Sequence, residues 1–318
     1  MADRIIAVLG ATGAQGGGVV RGILADPQGG FKARAITRNP DSDKAKALKD
    51  AGAEVVAADL DDVGSLRKAF AGAYGVYGVT NFWEHFSPAK ETQQAKNIAE
   101  AAKAAGVKHV VWSTFEDTRK KYPLSDTRMP TLQDSYKVPH FDAKAEAHPS
   151  FDPKTTTFLY TSFYWDNMVF FGMQPTRNED GSYSITLPMG DRKLPGMAAA
   201  DIGQCAYGIF KKGGDLIGTT VGIAGEHLTG TQMAEKMTKA LGVEVRYNAV
   251  TPDVYRSFGF PGADDLGNMF QYKAENEAEY CGIRDLKFSR EMYPGLQTFD
   301  RWLAANGKRI PLEQPQSS

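Results

Sequence analysis

Short apolar runs alternate with longer stretches of helical spacing through the first half of the chain. The runs 5–9, 32–37, 54–58, 75–79 and 109–113 are rich in Ile, Val and Ala and predict buried strands. Between them, 16–24, 42–51, 63–70 and 89–105 carry the spacing of helices, and Gly106 suits the left-handed residue that closes the last one. A further run, 155–161, is β-branched and aromatic and is expected to join the same sheet. Strand-helix alternation of this kind predicts βαβ units and an α/β fold with a doubly wound parallel sheet, whose ligand crevice lies at the carboxyl ends of the strands.

After Ser162 the texture changes to aromatics, glycines and prolines. Helices are expected at 198–212, 231–241 and 252–258, with one strand near 219–224 returning to the sheet. The reading is a nucleotide-binding domain over 1–162 and a smaller, mixed C-terminal lobe over 163–318 that closes the crevice. Residues 116–137 are polar, contain two prolines and show no periodicity, which suggests a lid or binding loop. A short polar tail follows Pro311, and no internal repeat is present.

Charge and composition narrow the function. Acids and bases nearly balance, for a net charge of -1, so the basic footprint of direct nucleic-acid binding is missing. Cys205 and Cys281 are the only cysteines and form no CxxC, which fits a reducing compartment. The apolar run after Met1-Ala2-Asp3 is too short for a leader or a membrane span, so a cytoplasmic protein without a membrane partner is expected. The histidines at 85, 109, 140, 148 and 227 show no paired ligand spacing, so no metal site is expected, and neither a Gly-x-Ser-x-Gly elbow nor a Walker loop occurs.

The segment Gly10-Ala11-Thr12-Gly13-Ala14-Gln15-Gly16 sits where the first strand meets the first helix. Gly10 allows a sharp turn, Gly13 lets backbone approach a pyrophosphate, and Gly16 lets the helix pack tightly on the sheet, so this is a Rossmann dinucleotide turn. The diphosphate would rest on the helix N-terminus. At the end of the second strand stands Arg38, whose planar fork matches a 2′-phosphate, so NADP(H) is the expected cofactor. Asp59-Leu60 falls where a carboxylate can meet the adenine amine, although Asp59 is equally placed to cap the following helix. Thr80-Asn81-Phe82 should lie beside the nicotinamide.

This glycine spacing resembles the short-chain dehydrogenase/reductase superfamily, whose active members pair a serine after the fifth strand with Tyr-x-x-x-Lys. Here Ser113-Thr114 follows the strand, but the helix reads Val138-Pro139-His140-Phe141-Asp142-Ala143-Lys144, with His140 where the tyrosine belongs. Lys144 remains as a ribose ligand. A literal Tyr207-Gly208-Ile209-Phe210-Lys211 falls beyond the sixth strand and reads as a helix face, while Tyr136 could reach the site from its loop. The aromatic run Phe163-Tyr164-Trp165, followed by Asn167, could wall a pocket or belong to a core. The catalytic set stays open.

Taken together, Gly10 to Gly17, Thr37-Arg38-Asn39-Pro40, Val79-Thr80-Asn81, His140-Phe141-Asp142-Ala143-Lys144 and Phe258-Gly259-Phe260-Pro261-Gly262-Ala263 resemble the NmrA-like family nearly end to end, most closely its animal NADPH-sensing branch. The resemblance implies an atypical short-chain dehydrogenase that binds NADP(H) and reports redox state through its conformation or a regulatory protein partner, as monomer or homodimer. The alternative is an NADPH-dependent reductase of quinones, imines or other conjugated small molecules. The implied cofactor shell is Gly10 through Gly16, Arg38, Asp59, Leu60, Thr80, Asn81, Phe82, Lys144, Tyr164, Trp165 and Asn167. Two departures weaken NADP preference: Asp41-Ser42 replaces a basic residue after the Arg-Asn-Pro turn, leaving Lys44 nearest, and Gln93 replaces a helix lysine, with Lys90 and Lys96 about a turn away.

Overall fold

A computed structural model describes residues 4–312, so the polar tail from 313 onward lies outside the described residues. The first half runs β1 (Arg4–Val8), α1 (Ala14–Leu24), β2 (Phe31–Thr37), α2 (Asp43–Asp50), β3 (Glu54–Ala57), α3 (Val63–Phe70), β4 (Gly75–Gly78), α4 (Pro88–Ala104), β5 (His109–Thr114), α5 (Pro139–Glu146) and β6 (Thr156–Tyr160). The second half continues with β7 (Phe163–Tyr164), α6 (Asn167–Phe170), β8 (Thr176–Arg177), β9 (Tyr183–Leu187), β10 (Leu194–Met197), α7 (Ala199–Lys212), β11 (Thr220–Gly222) and β12 (Glu226–Leu228). It closes with α8 (Gly230–Leu241), β13 (Val245–Ala249), α9 (Pro252–Arg256), α10 (Ala263–Glu275), α11 (Glu277–Ile283), α12 (Leu286–Met292) and α13 (Phe299–Asn306).

Seven strands pair in the order β11-β6-β5-β4-β1-β2-β3, every neighbour parallel. Both faces are covered by helices, which is why the strand sequences are continuous apolar runs rather than alternating ones. One face packs α1, α7 and α12 through Val19, Ile202, Phe210 and Met292, and the other packs α3 and α4 through Leu66, Phe70 and Ile98. Strand order reverses between β1 and β4, and a crevice opens there at the carboxyl ends. The fold is thus the doubly wound Rossmann arrangement, and no described helix is long and apolar enough to cross a membrane.

Small sheets β12-β10-β7 and β13-β9-β8 build the second lobe with α8 to α11 and α13 around a separate core that includes Phe163, Trp165, Leu266, Phe270, Phe299 and Trp302. Expected elements reappear with shifted ends: the first helix starts at Ala14, and the returning strand shortens to Thr220–Gly222. The helix expected over 252–258 stops at Arg256, ahead of Gly259 with its positive φ of 71°. The division at 162 is not a single cut, because α7 and β11 return to the first layer system.

None of residues 116–137 lines the crevice. The buried Asp142 carboxylate accepts from the Thr118 amide (2.8 Å) and hydroxyl (2.7 Å) and from the amides of Lys137 (2.8 Å) and Val138 (3.0 Å). Lys137 Nζ donates to the carbonyls of Asp126 and Met129, each at 2.7 Å. Both ends of the loop are therefore pinned to the start of α5.

Glycines let α1 and α7 pack backbone against backbone. A Cβ on Gly18 of α1 would stand 2.2 Å from the Ala200 carbonyl, and one on Gly203 of α7 2.2 Å from the Gln15 carbonyl and 2.3 Å from the Val19 nitrogen. Backbone opposes backbone, so no rotamer change relieves the clash. Gly203→Ala should lower stability by roughly 1–3 kcal/mol or more in urea unfolding. In the same assay Gly282→Ala, on exposed α11 surface with open space around it, should be neutral or raise stability by about 0.4–1 kcal/mol.

Candidate functional site

A cleft of about 900 Å³ follows the crevice, at the upper end of the roughly 300–1,000 Å³ typical of small-molecule and cofactor sites. Its floor is the turn from β1 into α1. Gly10 holds φ at 60°, and the Gly13 amide donates to the Gly10 carbonyl at 2.9 Å. At Gly16 an added Cβ would lie 2.4 Å from the carbonyls of Leu9 and Gly10, so only glycine lets α1 start this close to β1. The N-terminus of α1 has no side-chain cap and no acidic residue in its first turn. Its free amides face the cleft beside Thr12, Gly13 and Ala14, an arrangement that fits an anion.

At one end the cleft is lined by Arg38, Ser42, Lys44, Asp59 and Leu60. Arg38 is mostly exposed and pairs with Glu84 at 2.5 Å, a contact that raises the guanidinium's pKa further. Asp59 does not cap α3. That role goes to Asp62, whose carboxylate accepts from the Gly64 amide at 2.8 Å and the Ser65 amide at 3.2 Å, leaving Asp59 on the cleft wall. Neighbouring Asp61 accepts from Gln94 at 2.9 Å and pairs with Lys90 at 3.0 Å, so Lys90 is engaged outside the lining.

Past the switch point the wall is organised by a buried ion pair. Lys144 Nζ lies 2.5 Å from Glu91 Oε1 and donates to the Thr80 hydroxyl (2.6 Å) and carbonyl (3.0 Å). The Thr80 hydroxyl donates to the same Glu91 oxygen at 2.5 Å. Glu91 has no solvent exposure. Burial alone would raise its pKa, but the Lys144 charge, with His85 and Thr80, brings it down to about 2. The sequence reading missed Glu91, although a carboxylate on the apolar stripe of Ala95 and Ile98 in α4 is a visible signal. A second cluster centres on Gln15. Its carbonyl accepts from the hydroxyls of Tyr77 and, at 2.8 Å, Ser113, while its amide donates to the Tyr164 oxygen. Tyr77 was also missed, hidden in a strand that reads as plain core.

Beyond these groups the cleft widens into a chamber walled by Phe82, Trp83, Phe115, Phe141, Phe163 and Phe171. His140 stands in this wall, but its Nδ1 lies 2.6 Å from Asp265 Oδ1, and the other Asp265 oxygen accepts the His140 amide at 3.2 Å. Its ring centroid is 4.8 Å from Trp83. Two further polar residues line the chamber: Ser162, whose hydroxyl is buried without a hydrogen-bond partner, and Lys273, 2% exposed and with neither hydrogen bond nor ion pair among the described residues.

Gly10, Thr12, Gly13, Ala14, Gln15, Gly16, Arg38, Asp59, Leu60, Thr80, Asn81, Phe82, Lys144, Tyr164 and Asn167 all line this one cleft. Two expected residues do not. Trp165, in the turn just past β7, is buried among Phe299 and Trp302, with centroids 5.1 and 6.3 Å away. Ala11 is buried beneath the turn. Tyr136 points to Glu146 at 3.2 Å, outside the lining. Tyr207 and Lys211 both bind Asp26, at 3.0 and 2.7 Å, far from the cleft wall. No described group of three or more His, Cys, Asp or Glu residues could hold a metal.

The buried pair generates a prediction with a defined sign. An unfolded Glu91 takes up a proton near its ordinary 4.5, but the folded one holds out to about 2, so its stabilisation is complete above that ordinary value and is lost as pH falls through the interval. Glu91→Gln should cost about 3–5 kcal/mol at neutral pH by stranding the Lys144 charge. Denaturant melts should also show a shallower loss of stability below about pH 4.5 than in the wild type.

The NmrA-like family model matches residues 2–303. The NmrA-like family domain-containing oxidoreductase FrzB of a Cladobotryum species is 29% identical over 87% of this chain and 85% of that protein. Among solved structures, the negative transcriptional regulator NmrA in complex with NADP superposes with a TM-score of 0.74 at 23% identity, covering 96% of this chain and 95% of that one. The NADPH-dependent quinone oxidoreductase QOR2 of Escherichia coli, complexed with NADPH, superposes at 0.69 and 24% identity, covering 95% and 98%. At these identities the structural likeness speaks to fold, but the family match spans nearly the whole described chain: the protein belongs to the NmrA-like family.

Proposed function

We propose that the chain binds NADP(H) along the cleft and uses it to reduce a planar, conjugated small molecule held in the aromatic chamber. The carrying observation is that one continuous cleft joins the Gly10–Gly16 turn to the chamber bearing Lys273 and Ser162. A protein that only held a dinucleotide needs the first part and has no use for the second. The residues fit the cofactor: uncapped amides of α1 for the diphosphate, Arg38, Ser42 and Lys44 for a 2′-phosphate, and the Lys144–Thr80 corner for the nicotinamide ribose. A bound nicotinamide supplies a hydride. FrzB carries the name oxidoreductase and QOR2 that of a quinone oxidoreductase, which agrees with this class of chemistry.

A second reading, a redox sensor acting on a regulatory partner, draws on a different observation. Glu84 occupies Arg38 and belongs to the short turn Phe82–Glu84, whose Trp83 packs on His140 and whose neighbour Phe86 holds a positive φ of 54°. A phosphate arriving at Arg38 competes with Glu84 and so links cofactor occupancy to the segment that walls the chamber. NmrA itself is described as a negative transcriptional regulator.

Calorimetry with NADPH and NADH, followed by NADPH oxidation across quinones and triarylmethane dyes, separates the readings. Turnover establishes the reductase; tight NADPH binding with no turnover on any acceptor transfers the case to the sensor. Glu84→Gln should tighten NADPH up to about fivefold, matching the ~0.2–1 kcal/mol of an exposed ion pair, and leave NADH unchanged. Equal effects on both cofactors would remove Arg38 from phosphate recognition.

A further inference from the structure

We infer that Lys273 binds the carbonyl oxygen of the acceptor in the chamber and delivers to it the proton that accompanies hydride transfer; this rests on the reductase reading above. Lys273 projects from α10, on the face that also sends Leu266 and Met269 into the cleft wall. Its amine stands over three rings, 5.6 Å from the Phe141 and Phe270 centroids and 5.4 Å from Tyr280. None of these rings accepts a conventional hydrogen bond, so three N–H donors are left for whatever enters the chamber. A buried ammonium without such a partner is costly, and its persistence on an apolar helix face points to a ligand oxygen as the missing acceptor.

Two other groups of the cleft wall are paired: Lys144 with Glu91 and Thr80, and His140, through Nδ1, with Asp265. The Tyr164 oxygen accepts the Gln15 amide, and burial raises its pKa, so it is a weaker acid than Lys273. Burial lowers Lys273 to about 7, helped by the nearby Arg284 charge and opposed by Glu116. Arg284 and Glu116 largely cancel, being paired to each other at 2.6 and 3.0 Å, and Tyr280 and Tyr272 complete the titratable surroundings on that side, with His140 and Asp265 on the cleft side. A donor titrating near neutrality is well matched to general-acid work.

The step balances. The acceptor gains a hydride, carrying two electrons, from the bound reduced nicotinamide, which becomes oxidised. One N–H bond of Lys273 breaks as an O–H bond forms on the acceptor. The neutral amine then recovers a proton from water through the cleft.

The test uses the full chain, NADPH and 2-methyl-1,4-naphthoquinone, with Lys273→Met and Lys273→Gln as variants. Turnover should fall by about 100-fold or more in both. Wild-type turnover should decline above about pH 7 as the amine loses its proton, and the residual activity of the variants should lose that limb. Quenching of tryptophan fluorescence should show weakened quinone binding to the NADP+ complex, with NADPH affinity within about twofold of wild type. Thermal melts should be unchanged or raised in Lys273→Met, because an unpaired buried amine is removed; a structural lysine would lower them. Should the wild type turn over and both variants match its rate and pH profile, Lys273 is overturned and the reductase stands. With NADPH bound but no acceptor reduced by the wild type, the reductase reading falls and takes this assignment with it.

Discussion

The contact between Lys144, Glu91 and Thr80 organises the wall of the cleft. It ties the end of β4, the start of α4 and the last turn of α5 into one corner at the point where strand order reverses. Two opposite charges withdrawn from water hold each other strongly only with good geometry; here the Thr80 hydroxyl and carbonyl serve Lys144 and Glu91 Oε1, while Glu91 Oε2 faces His85 Nε2 at 3.3 Å without a hydrogen bond. The corner is therefore rigid. The glycine turn, the Gln15 cluster and the aromatic chamber are all positioned relative to it.

Two of the cleft's lysines are buried, with opposite treatment. Lys144 has its charge matched by a buried carboxylate; Lys273 is set among rings beside an Arg–Glu pair that is already self-compensated. The first arrangement stabilises the fold and the second works against it. Folds retain such uncompensated groups where function uses them, and they mark where stability and activity pull apart.

The histidine in place of the expected tyrosine follows the same logic. Anchored by Asp265 and tilted against Trp83, His140 serves as part of the chamber's wall and joins α5 to α10, so the second lobe is held to the first through the site itself. Proton-capable oxygens gather instead around Gln15, where Tyr77, Ser113 and Tyr164 come from three different strands.

The seven parallel strands' apolar runs, the glycine turn and the Arg38 and Lys144 positions were legible in the sequence because each depends on local rules: period, backbone freedom at Gly10 and Gly16, and fixed offsets from strand ends. Short strands such as Phe163–Tyr164 and Thr176–Arg177 carry too few residues to show a period, so the second lobe was only sketched. Trp165 could not be separated from Tyr164 by sequence, since both belong to one aromatic run and only packing against Phe299 and Trp302 puts Trp165 in the core. Glu91 and Lys273 showed themselves merely as charges on apolar helix stripes. Whether such a charge is neutralised, as Glu91 is by a lysine 53 positions on, or left free for a ligand, as Lys273 is, depends on residues distant in the chain, and tertiary structure alone brings those together.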